Sequence, residues 1–128
     1  MNGRIREISQ LDRRVHEPAR LKILLVLQAV GEADFLYLQR EGEFTQGNLS
    51  GHLTKLEEVG YIAIKKMFKG KMPLTVCRLT AQGERALARY CRQMWEIVGT
   101  QVAAVEASRH EAEQPAAAPD IPGQIRSQ

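Results

Sequence analysis

The sequence predicts a mainly α chain of the α+β class, in which one two-stranded β-hairpin sits between short helices and a long last helix. Three observations predict it. Apolar residues recur three and four apart through most of the chain, the period of amphipathic helices. Residues 61–79 alternate instead and turn at Lys69-Gly70, the pattern of a hairpin. Finally, a seam of apolar residues runs from Leu87 to Val105 along a last helix that can extend from Ala81 to about Ala107, roughly 40 Å.

In order, residues 1–16 form an N-terminal arm. Ile5, Ile8, Leu11 and Val15 fall three to four apart, as in a short amphipathic helix with arginines on its other side. Such a helix is too short to stand alone, so it must pack on the domain or on a partner subunit. Residues 17–107 form one domain. Glu17-Pro18 marks a helix start with Pro18 at the first position, and Ala19 to Val30 is the first core helix, burying Leu21, Ile23, Leu24, Leu25 and Leu27. Gly31 breaks it. Ala33 to Arg40 is the second, burying Phe35, Leu36 and Leu38, with Glu32 and Asp34 suited to the positive end of its dipole. Glu41-Gly42-Glu43 is a loop leading to a third helix over 45–59, so that the second and third make a helix-turn-helix.

The third helix carries the chemistry. Thr45 is its N-cap, and Phe44 can staple onto Leu49. Leu49, Leu53, Leu56 and Val59 define an apolar face. The opposite face carries Gly47, Ser50, Gly51, Thr54 and Glu58, with Lys55 at its edge. Each glycine costs about 1 kcal/mol against alanine in a helix interior. That cost makes sense if another surface must approach the backbone closely, as the floor of a major groove does. Gln46, Asn48, Ser50 and Thr54 surround the glycines with groups able to bond base edges or phosphates. The plainer reading is that Gly47 loosens the first turn and Gly51 relieves crowding against a neighbouring helix.

Gly60 ends the helix, and Tyr61 to Ile64 begins the hairpin. Lys65, Lys66, Lys69 and Lys71 cluster around Gly70 with no acid among them, flanked by Phe68 and Met72. Such a tip repels itself unless it meets an anion, and phosphate is the obvious one. The plainer reading is a strand edge protected by lysine. Leu74, Val76 and Arg78 face one way on the return strand, and Thr75, Cys77 and Leu79 the other. Thr80 caps the last helix, Ala81 to about Ala107, whose seam is Leu87, Cys91, Met94, Val98, Val102 and Val105, with Tyr90 and Trp95 alongside. A seam extending past the domain needs a second copy to cover it, so Met94, Trp95, Val98, Val102 and Val105, with Ile5 and Ile8, are the expected homodimer interface. Residues 108–128, rich in Ala, Pro and Gln, are expected to be a disordered tail.

Net charge over the 128 residues is only +3, but it is polarised: residues 45–79 hold six basic and two acidic side chains, residues 17–44 three basic and five acidic. No membrane span or signal peptide is expected, because Arg4, Arg6, Arg13 and Arg14 interrupt the start. With two cysteines, a reducing cytoplasm is the default setting.

The runs NLSGHLTKLEEVGYI and RLTAQGERAL, with the basic hairpin between them, resemble the winged-helix DNA-binding family, in particular the small MarR-like and ArsR-like bacterial transcription regulators. The resemblance covers about Leu11 to Val98. It implies a winged helix-turn-helix whose third helix reads the major groove and whose wing contacts the backbone or minor groove of double-stranded DNA. Carried onto this chain, it assigns the helix to Thr45, Gln46, Gly47, Asn48, Ser50, Gly51, Thr54 and Lys55, and the wing to Lys65, Lys66, Lys69, Gly70 and Lys71.

His16, His52, His110, Cys77 and Cys91 fit no ligand spacing, and the cysteine pair of metal-sensing ArsR-like helices is missing here, so neither metal nor cofactor is expected. Both cysteines read as small buried apolar residues. An enzyme is not expected, since no phosphate loop, nucleophile grouping or carboxylate pair is present. Two alternatives stand beside the regulator: a winged-helix protein adaptor using the acidic patch at Glu32, Asp34, Glu41 and Glu43, and a regulator gated by thiol oxidation or by an unknown small-molecule effector between the long helix and the first core helix.

Overall fold

Local capping sets where each helix begins and ends. In the computed structural model, which describes residues 3–113, the arm forms a short helix α1 (Gly3–Arg6) and one 3-10 turn (Glu7–Gln10). The helix predicted across residues 5–15 therefore stops early: Leu11 is extended (φ −65°, ψ 146°), and Leu11 and Val15 reach the core from a loop. Helix α2 (Pro18–Val30) starts on Glu17, whose carboxylate accepts hydrogen bonds from the Ala19 and Arg20 amides at 2.7 and 3.0 Å. Gly31 closes it at φ 86°, a left-handed turn that glycine adopts at little cost.

The next segment departs from expectation. Glu32–Asp34 is a strand, β1, and helix α3 (Phe35–Gly42) begins two residues later than predicted and absorbs the predicted loop at Glu41-Gly42. Asp34 is its N-cap, accepting from the Tyr37 amide at 2.8 Å. The later start turns Leu36 outward, 62% exposed, while Leu38 is buried. Glu43 takes a left-handed conformation to end α3, and Lys22 donates to the Gly42 carbonyl at 2.9 Å. Gly42 is bare because the Phe44 ring lies where its Cβ would stand.

Helix α4 (Gln46–Glu58) has the predicted N-cap: the Thr45 hydroxyl accepts from the Asn48 amide at 3.1 Å. Strands β2 (Ile62–Lys69) and β3 (Met72–Leu79) pair antiparallel, from Ile62 opposite Leu79 to Lys69 opposite Met72. The sheet has three strands in the order β1-β3-β2, not two, because β1 adds to the far edge of β3, Ala33 opposite Cys77. Buried Ala33, Ile62, Cys77 and Leu79 turn one sheet face to the helices.

Helix α5 (Ala81–Glu113) continues past Ala107, so residues 108–113 are helical; the rest of the predicted tail lies outside the described residues. Its start is locked to the end of α4. The Thr80 hydroxyl donates to the Gly60 carbonyl at 2.6 Å and accepts from the Gly83 amide at 3.0 Å, while the Thr80 amide donates to the Tyr61 carbonyl at 3.1 Å. This is the physical content of the paired runs VGYI and LTAQG.

The core gathers Ile23, Leu24 and Leu27 of α2, Leu38 of α3, Leu49, Leu53 and Leu56 of α4, and Leu87, Tyr90 and Ile97 of α5. Each large apolar side chain buried there contributes roughly 1.5–3 kcal/mol. Three predicted core residues are exposed: Leu25 on α2, Leu36 on α3 and Cys91 on α5. Met94, predicted at the dimer seam, is half-buried against this chain's own core.

Candidate nucleic-acid interface

The apolar face of α4 is fully engaged, so its opposite face is forced outward. Thr45, Gln46, Gly47, Asn48, Ser50, Gly51, Thr54 and Lys55 are all exposed. A Cβ placed on Gly47 or Gly51 would meet nothing within 4 Å. Crowding by a neighbouring helix therefore does not account for either glycine; the fold itself has room for a larger residue at both. The Thr54 hydroxyl donates to the Ser50 carbonyl at 2.9 Å, leaving its oxygen free to accept.

His52 belongs to the inner shoulder of this helix. Its Nδ1 lies 3.5 Å from Glu17 Oε2 and 3.4 Å from Arg20 Nη1, and its ring is tilted against Phe44. Arg20 in turn donates to the Arg13 and Arg14 carbonyls, so one guanidinium joins the arm, α2 and α4. Burial alone would raise the Glu17 carboxyl, but its two amide hydrogen bonds and the His52 and Arg20 charges outweigh that and hold it below the usual carboxylate value. His52 thus sets the seat of α4 from within.

The hairpin ends in the two-residue loop Gly70-Lys71. Gly70 has φ 63°, the left-handed first position that a type II′ turn requires. Lys65, Lys66, Lys69 and Lys71 are all exposed around it. Alternation puts Lys65 and Lys69 on one face with Met67, Leu74 and Val76, and Lys66 and Phe68 on the other with Pro73 and Thr75. One open cleft of about 320 Å³ is lined by Gln46 and Ser50 of α4, Pro73, Leu74 and Thr75 of β3, and Asp34, Phe35 and Leu36. The outward face of α4 and the hairpin therefore flank the same cleft. Leu36 was missed as a cleft residue because its exposure depends on where α3 starts, which β1 decides.

A second groove, of about 750 Å³, shares no lining residue with α4 or the hairpin. Arg13 and Arg14 of the arm, Arg20, and Arg89 of α5 meet there beside Asp12 and Tyr61. The Tyr61 hydroxyl donates to Asp12; burial first, and then that carboxylate, push the phenol above its usual value. No local pattern predicts this meeting, since it depends on how α5 packs.

Among the described residues no group of three or more His, Cys, Asp or Glu is placed to hold a metal, and no helix is long and apolar enough to cross a membrane. Cys77 is fully buried, and burial, aided by Glu57 and Asp34, pushes its thiol up to about 11, which leaves it unreactive.

A helix-turn-helix whose second helix is exposed along one face, with a basic hairpin across the adjoining cleft, is the architecture of a winged-helix transcriptional regulator. The model of the winged helix DNA-binding domain family matches residues 19–98, and the chain belongs to that family. An uncharacterized protein of Methanocaldococcus jannaschii is 35% identical over 79 residues, 61% of this chain and 85% of that protein. Among solved structures, a transcriptional regulator homologue from Pyrococcus horikoshii OT3 is 25% identical with a TM-score of 0.71, covering 78% of this chain and 98% of that one. The MarR family transcriptional regulator Sco3205 from Streptomyces coelicolor, solved in complex with DNA, is 21% identical with a TM-score of 0.59 over 89% of this chain and 84% of its own, a likeness of fold. The family is that of winged helix DNA-binding domains, and the fold is shared with these solved regulators.

Proposed function

We propose that this protein is a sequence-specific regulator of transcription that binds double-stranded DNA as a homodimer. Helix α4 lies in the major groove, where Gln46, Asn48, Ser50, Thr54 and Lys55 meet bases or nearby phosphates. Lys65, Lys66, Lys69 and Lys71 hold the backbone beside it. The observation that carries this reading is the open space over Gly47 and Gly51, next in sequence to Gln46 and Ser50, which share a cleft with the hairpin. Two glycines that the fold does not need, at about 1 kcal/mol each, require an external reason. The DNA complex of a protein with the same fold supports it.

The dimer rests on α5. Cys91, Trp95, Val98, Val102 and Val105 fall at four-three-four-three spacing and are all exposed, with Ile5 and Ile8 on the arm that Arg4 ties to Glu96 at 2.7 Å. A seam of that spacing is what one helix presents to another.

Fragments selected by the protein from random duplex DNA supply the probe. Gly51→Ala is expected to raise stability by about 1 kcal/mol, since it adds helix propensity in open space, and yet to weaken binding in a gel-shift titration. Gly51→Glu is expected to abolish binding while the chain stays folded. Undiminished affinity in the glutamate variant would remove α4 from the interface. No binding of the wild-type protein to any duplex at low salt would point to a protein partner instead.

A further inference from the structure

Phe68 is 73% exposed at the tip of the hairpin, where four lysines stand and no acid does. Among the described residues the ring is no part of the core, and an exposed phenylalanine forgoes the burial that stabilises its kind elsewhere. Its orientation is fixed by the register. Phe68 pairs with Pro73, so both lie on one sheet face, and Pro73 lines the cleft together with Gln46 and Ser50 of α4. The ring is on the same sheet face as buried Ile62 and Cys77, the face turned to the helices, one pair before the turn. Lys66 shares that face, and Lys69 follows at the last pair.

We propose that Phe68 is an apolar wedge that enters the minor groove and partly unstacks one base step, so that the protein bends its DNA. The inference rests on the DNA-binding reading above and adds a residue that reads deformability. The occupant is chosen by charge: a ring ringed by lysines fits a site walled by phosphates and floored by stacked bases. The flanking lysines hold the two backbones while the ring is inserted, the arrangement by which apolar side chains kink duplexes. Insertion is least costly at flexible pyrimidine–purine steps, so a preference for such a step is expected outside the bases facing α4.

The test uses the full chain and duplexes that the wild-type protein selects from a random library. End-labelled duplexes report bending by energy transfer, and 2-aminopurine at the step beside the hairpin reports unstacking. Wild-type protein is expected to shorten the end-to-end distance and to brighten 2-aminopurine. Phe68→Ala is expected to lose both signals and about tenfold in affinity, with an unchanged slope of affinity on salt, because the lysines remain. Phe68→Leu is expected to keep most of the bend. The ring is exposed, so an unchanged melting curve will show that the variants are folded.

Equal affinity, bend and 2-aminopurine signal for Phe68→Ala would overturn the wedge and leave the regulator reading standing. Failure of the wild-type protein to bind any duplex would overturn the regulator reading itself. If Phe68→Ala left duplex binding intact but abolished binding to anionic lipid vesicles, the tip would belong to a membrane surface and the wedge would be wrong.

Discussion

Glycine means opposite things at Gly83 and Gly51. Both sit inside helices, where each costs about 1 kcal/mol against alanine. A Cβ on Gly83 would stand 2.0 Å from the Tyr61 carbonyl oxygen, whereas one on Gly51 would meet nothing within 4 Å. Gly83 thus serves the fold: it lets Tyr61 approach so that Thr80 can reach both Gly60 and Tyr61. Gly83→Ala is expected to destabilise by about 3 kcal/mol or more, because the obstacle is backbone and cannot step aside. Chemical denaturation measures it, and a change within 0.5 kcal/mol, roughly the scatter of neutral surface substitutions, would refute the lock. Gly51→Ala should move stability in the other direction. The pair separates a residue kept for packing from one kept for contact with something outside the chain.

At the scale of elements, the hairpin's four lysines sit on both sheet faces and at the turn, so they can grip phosphates independently of α4. Replacing Lys69 and Lys71 together with alanine is expected to weaken binding to all duplexes alike and to reduce the salt slope by up to about two counterions. An unchanged slope in a titration across salt concentrations would take the hairpin out of the interface. The elements that sequence alone makes plain are those with local signals. Thr45 and Gly60 bracket α4, Gly31 ends α2, and Gly70 turns the hairpin. The elements it hides are those made by distant partners. Glu32–Asp34 becomes a strand only because β3 lies beside it, and three residues carry no periodicity of their own. Leu11 and Val15 keep helical spacing and are buried, but through a loop held by Arg20. On α5 the apolar surface is wide enough for two stripes. Spacing cannot say which faces the chain's own core, and that stripe proves to be Leu87, Tyr90 and Ile97; of the predicted seam Leu87 and half-buried Met94 pack there, while Cys91 and Val98 are exposed. The candidate contact residues on α4 were readable because the buried leucines of one short amphipathic helix leave only one face for them.

The whole molecule is a small domain with a rod attached. Helix α5 has 33 residues, about 50 Å, and beyond Ile97 none of its residues whose burial is described, 98–112, is buried. Val102 is 48% exposed on the stripe we assign to the second copy. Val102→Glu is expected to give a monomer in analytical ultracentrifugation with an unchanged melting profile of the winged domain, and to lose most DNA affinity because two heads no longer bind together. A variant that remains dimeric would place the contact between copies elsewhere. The short strand β1 has a bearing here. It stitches the start of α3 to β3, and α3, α4 and the sheet share one core, which ties the proposed reading helix to its lysine finger. In the proposed pair, each gripping head is therefore stiff, and the one adjustable dimension is the span between heads, set where the two rods cross. A signal that silences such a protein would have to change that span, as one closes calipers, without bending either jaw.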